Sequence, residues 1–298
     1  MFRNWAGGAL LIAALAISSA VSSHVAMAGT LDEIKARGKL IAGVKGDYKP
    51  FGYFETDGKH VGLDVDIART FAKALFSDEN KLELVPVTSA QRIPTLLSKK
   101  VDIIIASMTI TDERKKQVDF SDPYFLSGSL MLAPKQSAIK NMSDLRGKTV
   151  GVIQGTIQVG DMEELAPTSE RVRFDKVNEA LFALKSGQTD AFAQDDILML
   201  TLAHDNADLK TVGDPFKPRP FGIAVRKGET EFLSWVNEQM SALRSDGTYD
   251  QLWKKYFGDV EAKLMRLKSS PTAQQAQPAL TRTQPAATVK QNKPAPKL

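Results

Sequence analysis

Apolar positions along the chain change period repeatedly between residues 40 and 257. Leu40–Val44 and residues 51–54 and 82–87 are short β-rich runs, and 101–106 (VDIIIA) is nearly unbroken in apolar character, as a central parallel strand is. Between them, Leu63–Phe76 carries helical apolar spacing behind acidic residues suited to a helix N-terminus, and 92–98 reads as a second helix. Thr111 fits the N-cap of a short helix with Asp112 and Glu113 in its first turn. After a strand over 127–133 and a turn at 144–148, the alternation begins again. It predicts strands at Thr149–Ile153, 172–174 and 191–193, with helices at 157–165, 177–186 and 197–204. A strand over 221–226 and amphipathic helices over 229–245 and 248–257 complete the pattern. These elements predict an α/β protein of two lobes, each with its own strands, and two crossovers near 127–134 and 218–226. Residues 29–131 begin lobe 1, 132–219 form lobe 2, and 220–267 return to lobe 1.

Both ends of the chain read differently. Arg3, a short apolar run over 9–17 and the small-x-small sequence Ala26-Met27-Ala28 before Gly29 have the form of an export signal over 1–28. That apolar run is about half the ~20 residues a membrane-spanning helix needs. Residues 268–298 hold Ser, Pro, Ala, Gln, Thr and Lys with no acid and no aromatic, so they are expected to form a disordered basic tail.

Charge and composition narrow the chemistry. The net charge is +4, which by itself suggests a polyanionic partner. With Arg3 and the tail's Lys268, Arg282, Lys290, Lys293 and Lys297 set aside, 33 of the 39 basic residues remain in the body against all 35 acids. The body is mildly acidic, and no nucleic-acid partner is expected. Cysteine is absent, which excludes disulfides, thiolate nucleophiles, zinc–thiolate sites, iron–sulfur clusters and a lipidated cysteine. Only His24, His60 and His204 stand against a histidine-based triad or metal centre, and no metal or other cofactor is expected.

Motifs for phosphate and calcium fail on inspection. Gly147-Lys148-Thr149 ends like a phosphate loop, but Met142 stands where that loop needs glycine, and the segment runs from turn to strand. Gly151, Gly155 and Gly160 do not have dinucleotide spacing. Asp64-x-Asp66 lacks the glycine and distal glutamate of a calcium loop and reads as helix-start acids. The informative block is 105–121 (IASMTITDERKKQVDFS). A buried strand ends near Ser107, and Thr109, Thr111 and Arg114 follow within a few residues. Main-chain N–H groups at a strand end and helix start attract an anion, and an arginine grips a carboxylate through two parallel bonds.

The segments GVKGDYKPFGYFE, VGLDVDIARTFAKAL, VDIIIASMTITDERKKQVDFSDPYF, LRGKTVGVIQGT, TDAFAQD, FGIAVRKG and LRSDGTYDQLWKKYFG run in order over nearly all of 31–258. In them the chain resembles the periplasmic solute-binding proteins of polar amino acid ABC transporters. The resemblance implies a two-lobed periplasmic binding protein fold of type II, with the ligand between the lobes. It also implies a monomeric periplasmic protein, without catalysis, that serves a permease in the inner membrane. On the matching motifs, Arg114, Thr109, Thr156 and the Ile157 N–H would take the ligand α-carboxylate. Asp195 and the carbonyl of Ser107 would take the α-ammonium, and Tyr48 would pack on the ligand; Asp196 is the lesser of the aspartate pair. This division is physically sensible, because a buried zwitterion needs an opposite charge at each end to offset its desolvation. Lys45 and Arg92, at positions that vary in the family, resemble the glutamate/aspartate branch, so an acidic ligand is the expectation. Glutamine, asparagine or another polar amino acid is the alternative, ahead of a dehydratase-type enzyme or a sensory ligand-binding protein on the same fold.

Overall fold

The computed structural model describes residues 29–268, with side chains to Gly258. The signal expected over 1–28 and the tail expected from 268 lie outside the described residues, Lys268 excepted. The chain begins with α1 (Thr30–Arg37), β1 (Leu40–Val44) and a small antiparallel sheet of β2 (Asp47–Tyr48), β3 (Gly52–Phe54) and β4 (His60–Val61). There follow α2 (Leu63–Phe76), β5 (Leu82–Pro86), α3 (Arg92–Leu97), β6 (Ile103–Ile104), α4 (Asp112–Lys115) and β7 (Val118–Phe120). Then come β8 (Phe125–Pro134), β9 (Thr149–Ile153), α5 (Gln158–Leu165), β10 (Glu170–Phe174) and α6 (Val177–Lys185). The last elements are β11 (Ala191–Asp195), α7 (Asp196–Asp205), β12 (Leu209–Phe221), β13 (Ala224–Arg226), α8 (Thr230–Ser245) and α9 (Thr248–Lys268).

Two five-stranded sheets result, ordered β5-β1-β6-β13-β7 and β10-β9-β11-β8-β12. In each, the first three strands are parallel, and the fourth (β13 or β8) runs antiparallel to both neighbours. Leu40, Ala42 and Val44 of β1 and Ile103 of β6 are fully buried in one cluster with Leu63, Ile67 and Phe71 of α2. The start of α2 lies so close to β3 that a Cβ on Gly62 would stand 2.1 Å from the Phe51 carbonyl oxygen, and its φ of +132° also suits glycine. Among the described residues no helix is long and apolar enough to cross a membrane.

The lobes join where Phe125 of β8 pairs with Phe221 of β12, and an isolated bridge from Phe221 to Thr109 ties this point to lobe 1. Phe51, Phe125, Phe221 and Phe257 stack around the junction with centroid separations of 4.9–5.6 Å. Aromatic pairs of this kind add ~1 kcal/mol each beyond the area they bury.

Three details differ from the sequence reading. β8 pairs with the second sheet from Phe125 onward, so residues 125–131 run with lobe 2 ahead of the expected boundary at 131. The strand expected over 221–226 is two strands, broken at Gly222-Ile223. β12 extends over thirteen residues despite Pro215, Pro218 and Pro220. It is an edge strand with two register shifts, where missing N–H donors do least damage.

Candidate functional site

The carboxyl ends of the parallel strands in both sheets face one another across the cleft, where open α/β sheets place ligands. β1 delivers Lys45, β2 carries Tyr48, α3 begins with Arg92, and the chain after β6 supplies Ser107 and Thr109. From lobe 2 come Thr156 and Gln158 after β9, and Asp195 at the end of β11. These residues, with Ser89, Ala106 and Arg114, line a small cavity between the lobes. It therefore gathers eight of the nine side chains expected from the sequence. Ile157 lies just outside the lining, as the residue preceding α5. A larger, more open groove beside α2, α8 and α9 is confined to lobe 1.

Arg114 is placed by the cap the sequence predicts, since Thr111 Oγ1 accepts from the Arg114 N–H at 3.2 Å. Its guanidinium donates to the carbonyls of Thr109 at 2.7 Å and Gly155 at 2.9 Å. Two of its five N–H groups are so engaged, and the fork retains donors for an anion. Burial, reinforced by the neighbouring Arg92 cation, brings its pKa down to about 9. An arginine disfavoured in this way has most to gain from a carboxylate.

Arg92 is differently employed. Nε donates to the Ser89 carbonyl at 3.1 Å, Nη1 to Ala106 and Ser107 at 2.9 and 3.1 Å, and Nη2 to Gly155 at 3.2 Å. All four of these acceptors are main-chain carbonyls, so the residue shapes the wall and spends much of its donor capacity doing so. Ser107 has φ +46°, a left-handed conformation uncommon for a residue with a Cβ. Its N–H and Oγ both donate to Asp64 Oδ2, at 2.9 and 3.2 Å.

Lys45 is buried, with Ser89 Oγ at 3.4 Å and Asp47 Oδ1 at 3.6 Å. Burial is the larger influence and lowers its pKa to about 8 against the pull of Asp47. Asp195 is also buried; it accepts from the Tyr48 hydroxyl across the cleft and from Gln158 Nε2 at 2.8 Å. Burial raises its pKa to about 6 although both hydrogen bonds favour the charged form. An ammonium between the lobes would reverse that shift. Asp196, in contrast, is committed to the scaffold: it accepts from Ser127 Oγ, from the Gly128 N–H at 3.0 Å and from the Ile197 N–H at 2.8 Å. The Thr156 hydroxyl donates to the Ile153 carbonyl at 2.7 Å and keeps its lone pairs.

Gln158, Ser89 and Ala106 are the lining residues that sequence reasoning missed. Gln158 is fully buried, donates to both Asp195 and Ser129, and has no hydrogen-bond partner for Oε1. Its position two residues beyond Thr156, at the start of a helix facing the cleft, was the available signal. Counting the carboxylates that touch lining residues, Lys45, Arg92 and Arg114 face Asp47, Asp64 and Asp195. Asp195 lines the cavity and Asp47 and Asp64 stand behind it, so the six charges cancel when all are ionised, which for Asp195 and Asp64 means above about pH 6 and pH 7.

The lobes also bind each other directly. Asp47 Oδ2 accepts from the Val177 N–H at 2.7 Å, at the positive end of α6. Lys49 meets Asp205 at 3.3 Å. The carbonyl of Gly155 takes both Arg92 and Arg114. That residue has φ +81°, and a Cβ on it would stand 2.6 Å from the Ala90 Cα and N.

Comparison with known proteins places these features. A family model for bacterial extracellular solute-binding proteins, family 3, matches residues 40–259. The ABC transporter glutamine-binding protein of Bacillus subtilis (strain 168) is 38% identical over 248 residues, covering 83% of this chain and 91% of that protein. The L-cystine-binding protein of Escherichia coli (strain K12) is 35% identical over 233 residues, 77% of this chain and 86% of its own length. Among solved structures, an ancestral arginine-binding protein bound to glutamine matches with a TM-score of 0.71 at 42% identity, covering 74% of this chain and 99% of the other.

Proposed function

This chain belongs to the bacterial extracellular solute-binding proteins, family 3, and on that premise we propose that it captures a neutral polar amino acid, glutamine foremost, for an ABC importer. The observation that carries the choice of ligand is the balance of three cations against three carboxylates around the cavity. A zwitterion with an uncharged side chain preserves that balance, whereas a ligand with a second carboxylate adds a buried charge that must be matched, at a cost of several kcal/mol if it is not. The acidic expectation relied on Lys45 and Arg92 together. Lys45 already faces Asp47, and Arg92 already serves four carbonyls. A carboxamide offers a carbonyl to the Lys45 ammonium, and its NH₂ suits an unpartnered acceptor such as Gln158 Oε1. The similar proteins are named for glutamine, cystine and arginine, none of them an acidic amino acid, and the arginine-binding one is bound to glutamine.

In this reading Arg114 grips the ligand α-carboxylate with help from Thr109, Thr156 and the Ile157 N–H at the start of α5. Asp195 and the Ser107 carbonyl take the α-ammonium, and the Tyr48 ring packs on the ligand while its hydroxyl orients Asp195. The lobes turn about the ends of β8 and β12, and the closed form docks on a permease that senses the changed geometry. The protein works in the periplasm, where such capture calls for a Kd of micromolar order, about −8 kcal/mol.

A thermal-shift screen against the twenty amino acids tests the reading, because a ligand at a hundred times its Kd stabilises by about 2.7 kcal/mol. Glutamine is expected to give the largest shift, and Arg114→Ala to abolish it. A shift with glutamate or aspartate and none with glutamine returns the assignment to acidic ligands.

A further inference from the structure

The ligand roles above leave one completely buried carboxylate in the neighbourhood unused. Asp64 is the second residue of α2 and lies behind the cavity wall. Its Oδ2 accepts both the N–H and the hydroxyl of Ser107, and its Oδ1 accepts from the Tyr124 hydroxyl at 2.9 Å. Ser107 is the left-handed residue whose carbonyl stands at the cavity beside Arg92. Tyr124 immediately precedes β8, its N–H donates to the carbonyl of Phe221 at the end of β12 at 3.0 Å, and its own carbonyl accepts from the Tyr249 hydroxyl. A single carboxylate thus links the turn that faces the ligand to the point where both crossover strands leave lobe 1.

We propose that Asp64 is a positioning residue for ligand binding, holding the Ser107 turn so that its carbonyl faces the ammonium and tying that turn to the crossover through Tyr124. The inference rests on the proposed amino-acid site, though not on the identity of the amino acid. The three hydrogen atoms aimed at Asp64 all need an acceptor, which an ionised carboxylate supplies in full. A protonated carboxyl must donate one hydrogen itself and so displaces one of these donors. The facing groups come from every element packed on it: Ser107 after β6, Tyr124 before β8, Arg92 of α3, and Tyr249 of α9 behind Tyr124. Arg92 favours the ionised form, and burial opposes it more strongly, bringing the pKa up to about 7. If the binding-competent protein is the ionised one, apparent affinity scales with its fraction and rises about tenfold between pH 6 and pH 8. Asp195, pushed up to about 6, adds its own rise at lower pH.

The test is calorimetric titration of the mature protein with L-glutamine from pH 5.5 to 8.5, for wild type, Asp64→Asn and Tyr124→Phe. Asp64→Asn removes the charge at nearly constant volume. It is expected to weaken binding about tenfold at pH 8 and to flatten the profile between pH 6 and 8 while leaving the rise due to Asp195. Tyr124→Phe keeps the carboxylate and is expected to weaken binding severalfold with the pH dependence retained. Wild-type affinity and profile in Asp64→Asn overturn the proposal. Should that variant fail to fold, unchanged affinity in Tyr124→Phe overturns it equally. A wild-type protein that ignores glutamine overturns the ligand assignment alone, and the same titrations with the amino acid that does stabilise it then decide the role of Asp64.

Discussion

The two lobes meet the cleft with opposite chemistry. Lobe 1 contributes all three cations of the wall, Lys45, Arg92 and Arg114, and lobe 2 contributes Asp195 together with the Gly155–Thr156 turn and Gln158. Lobe 1 holds its arginines chiefly through its own carbonyls, at Ser89, Ala106, Ser107 and Thr109. Lobe 2 holds Asp195 through Gln158 from its own side and through Tyr48 from the other. The two arginines are thus held mainly by lobe 1, whereas the hydrogen bonds to Asp195 are completed only where the lobes meet; on the proposed roles the α-carboxylate also reaches Thr156 and Ile157 of lobe 2. If the proposed roles hold, the ligand would dock on the arginines of lobe 1 first, and closure would report that its ammonium has met Asp195.

The strongest challenge to this asymmetry is a pair of substitutions. Arg114→Ala and Asp195→Asn should each weaken ligand binding by a hundredfold or more, about 3 kcal/mol, as expected on losing one side of a buried hydrogen-bonded charge pair. Arg114→Ala should also abolish the weak binding to an open form, which small-angle scattering and calorimetry together detect; Asp195→Asn should retain some. The reverse order would mean that docking begins on lobe 2.

A smaller effect is expected from Gly155→Ala. The added methyl would lie 2.6 Å from the Ala90 backbone, so it obstructs the meeting of the lobes without entering either core. Affinity should fall ten- to a hundredfold, and the radius of gyration with saturating ligand should exceed that of wild type.

Lys45→Met bears on how lobe 1 tolerates its cations. Burial lowers the Lys45 pKa from 10.5 to about 8 in the folded state, so the charged lysine costs stability. That cost is fully present below pH 8 and is relieved as pH rises from about 8 toward 10.5. Urea denaturation should show the wild type gaining on Lys45→Met over that interval, and equal slopes for the two proteins would refute the assignment. Lys49→Ala should have the least effect. Its contact with Asp205 joins the lobes at an exposed position, where ion pairs contribute well under 1 kcal/mol, so affinity should change less than threefold by calorimetry.

What the sequence disclosed about this site follows the same division. The placement of Arg114 was legible because its surroundings are local: a strand end, a threonine cap and a short helix lie within a few residues. Asp195 and Tyr48 became legible only by resemblance, for their contact spans 147 positions in the chain. Arg92 was legible as a residue of the cleft but not as a donor to carbonyls, since main-chain acceptors leave no trace in side-chain patterns. Asp64 read as a helix-start acid, which it is, and its burial against Ser107 and Tyr124 is a property of packing alone. The alternating lobes were plain from periodicity, whereas β12 was hidden by prolines that an edge strand accommodates.

The aromatic junction has an optical consequence. Trp253 stacks on Phe257 at 4.6 Å and on Phe125, the first residue of β8, at 5.3 Å. Trp235 sits inside lobe 1 against Phe71 and Phe232. On the proposed closure, rotation of lobe 2 would change the surroundings of the first indole and leave those of the second alone. Among the described residues, one tryptophan thus sits at the junction of the lobes and another inside lobe 1, so intrinsic fluorescence would follow the proposed closure without an attached dye.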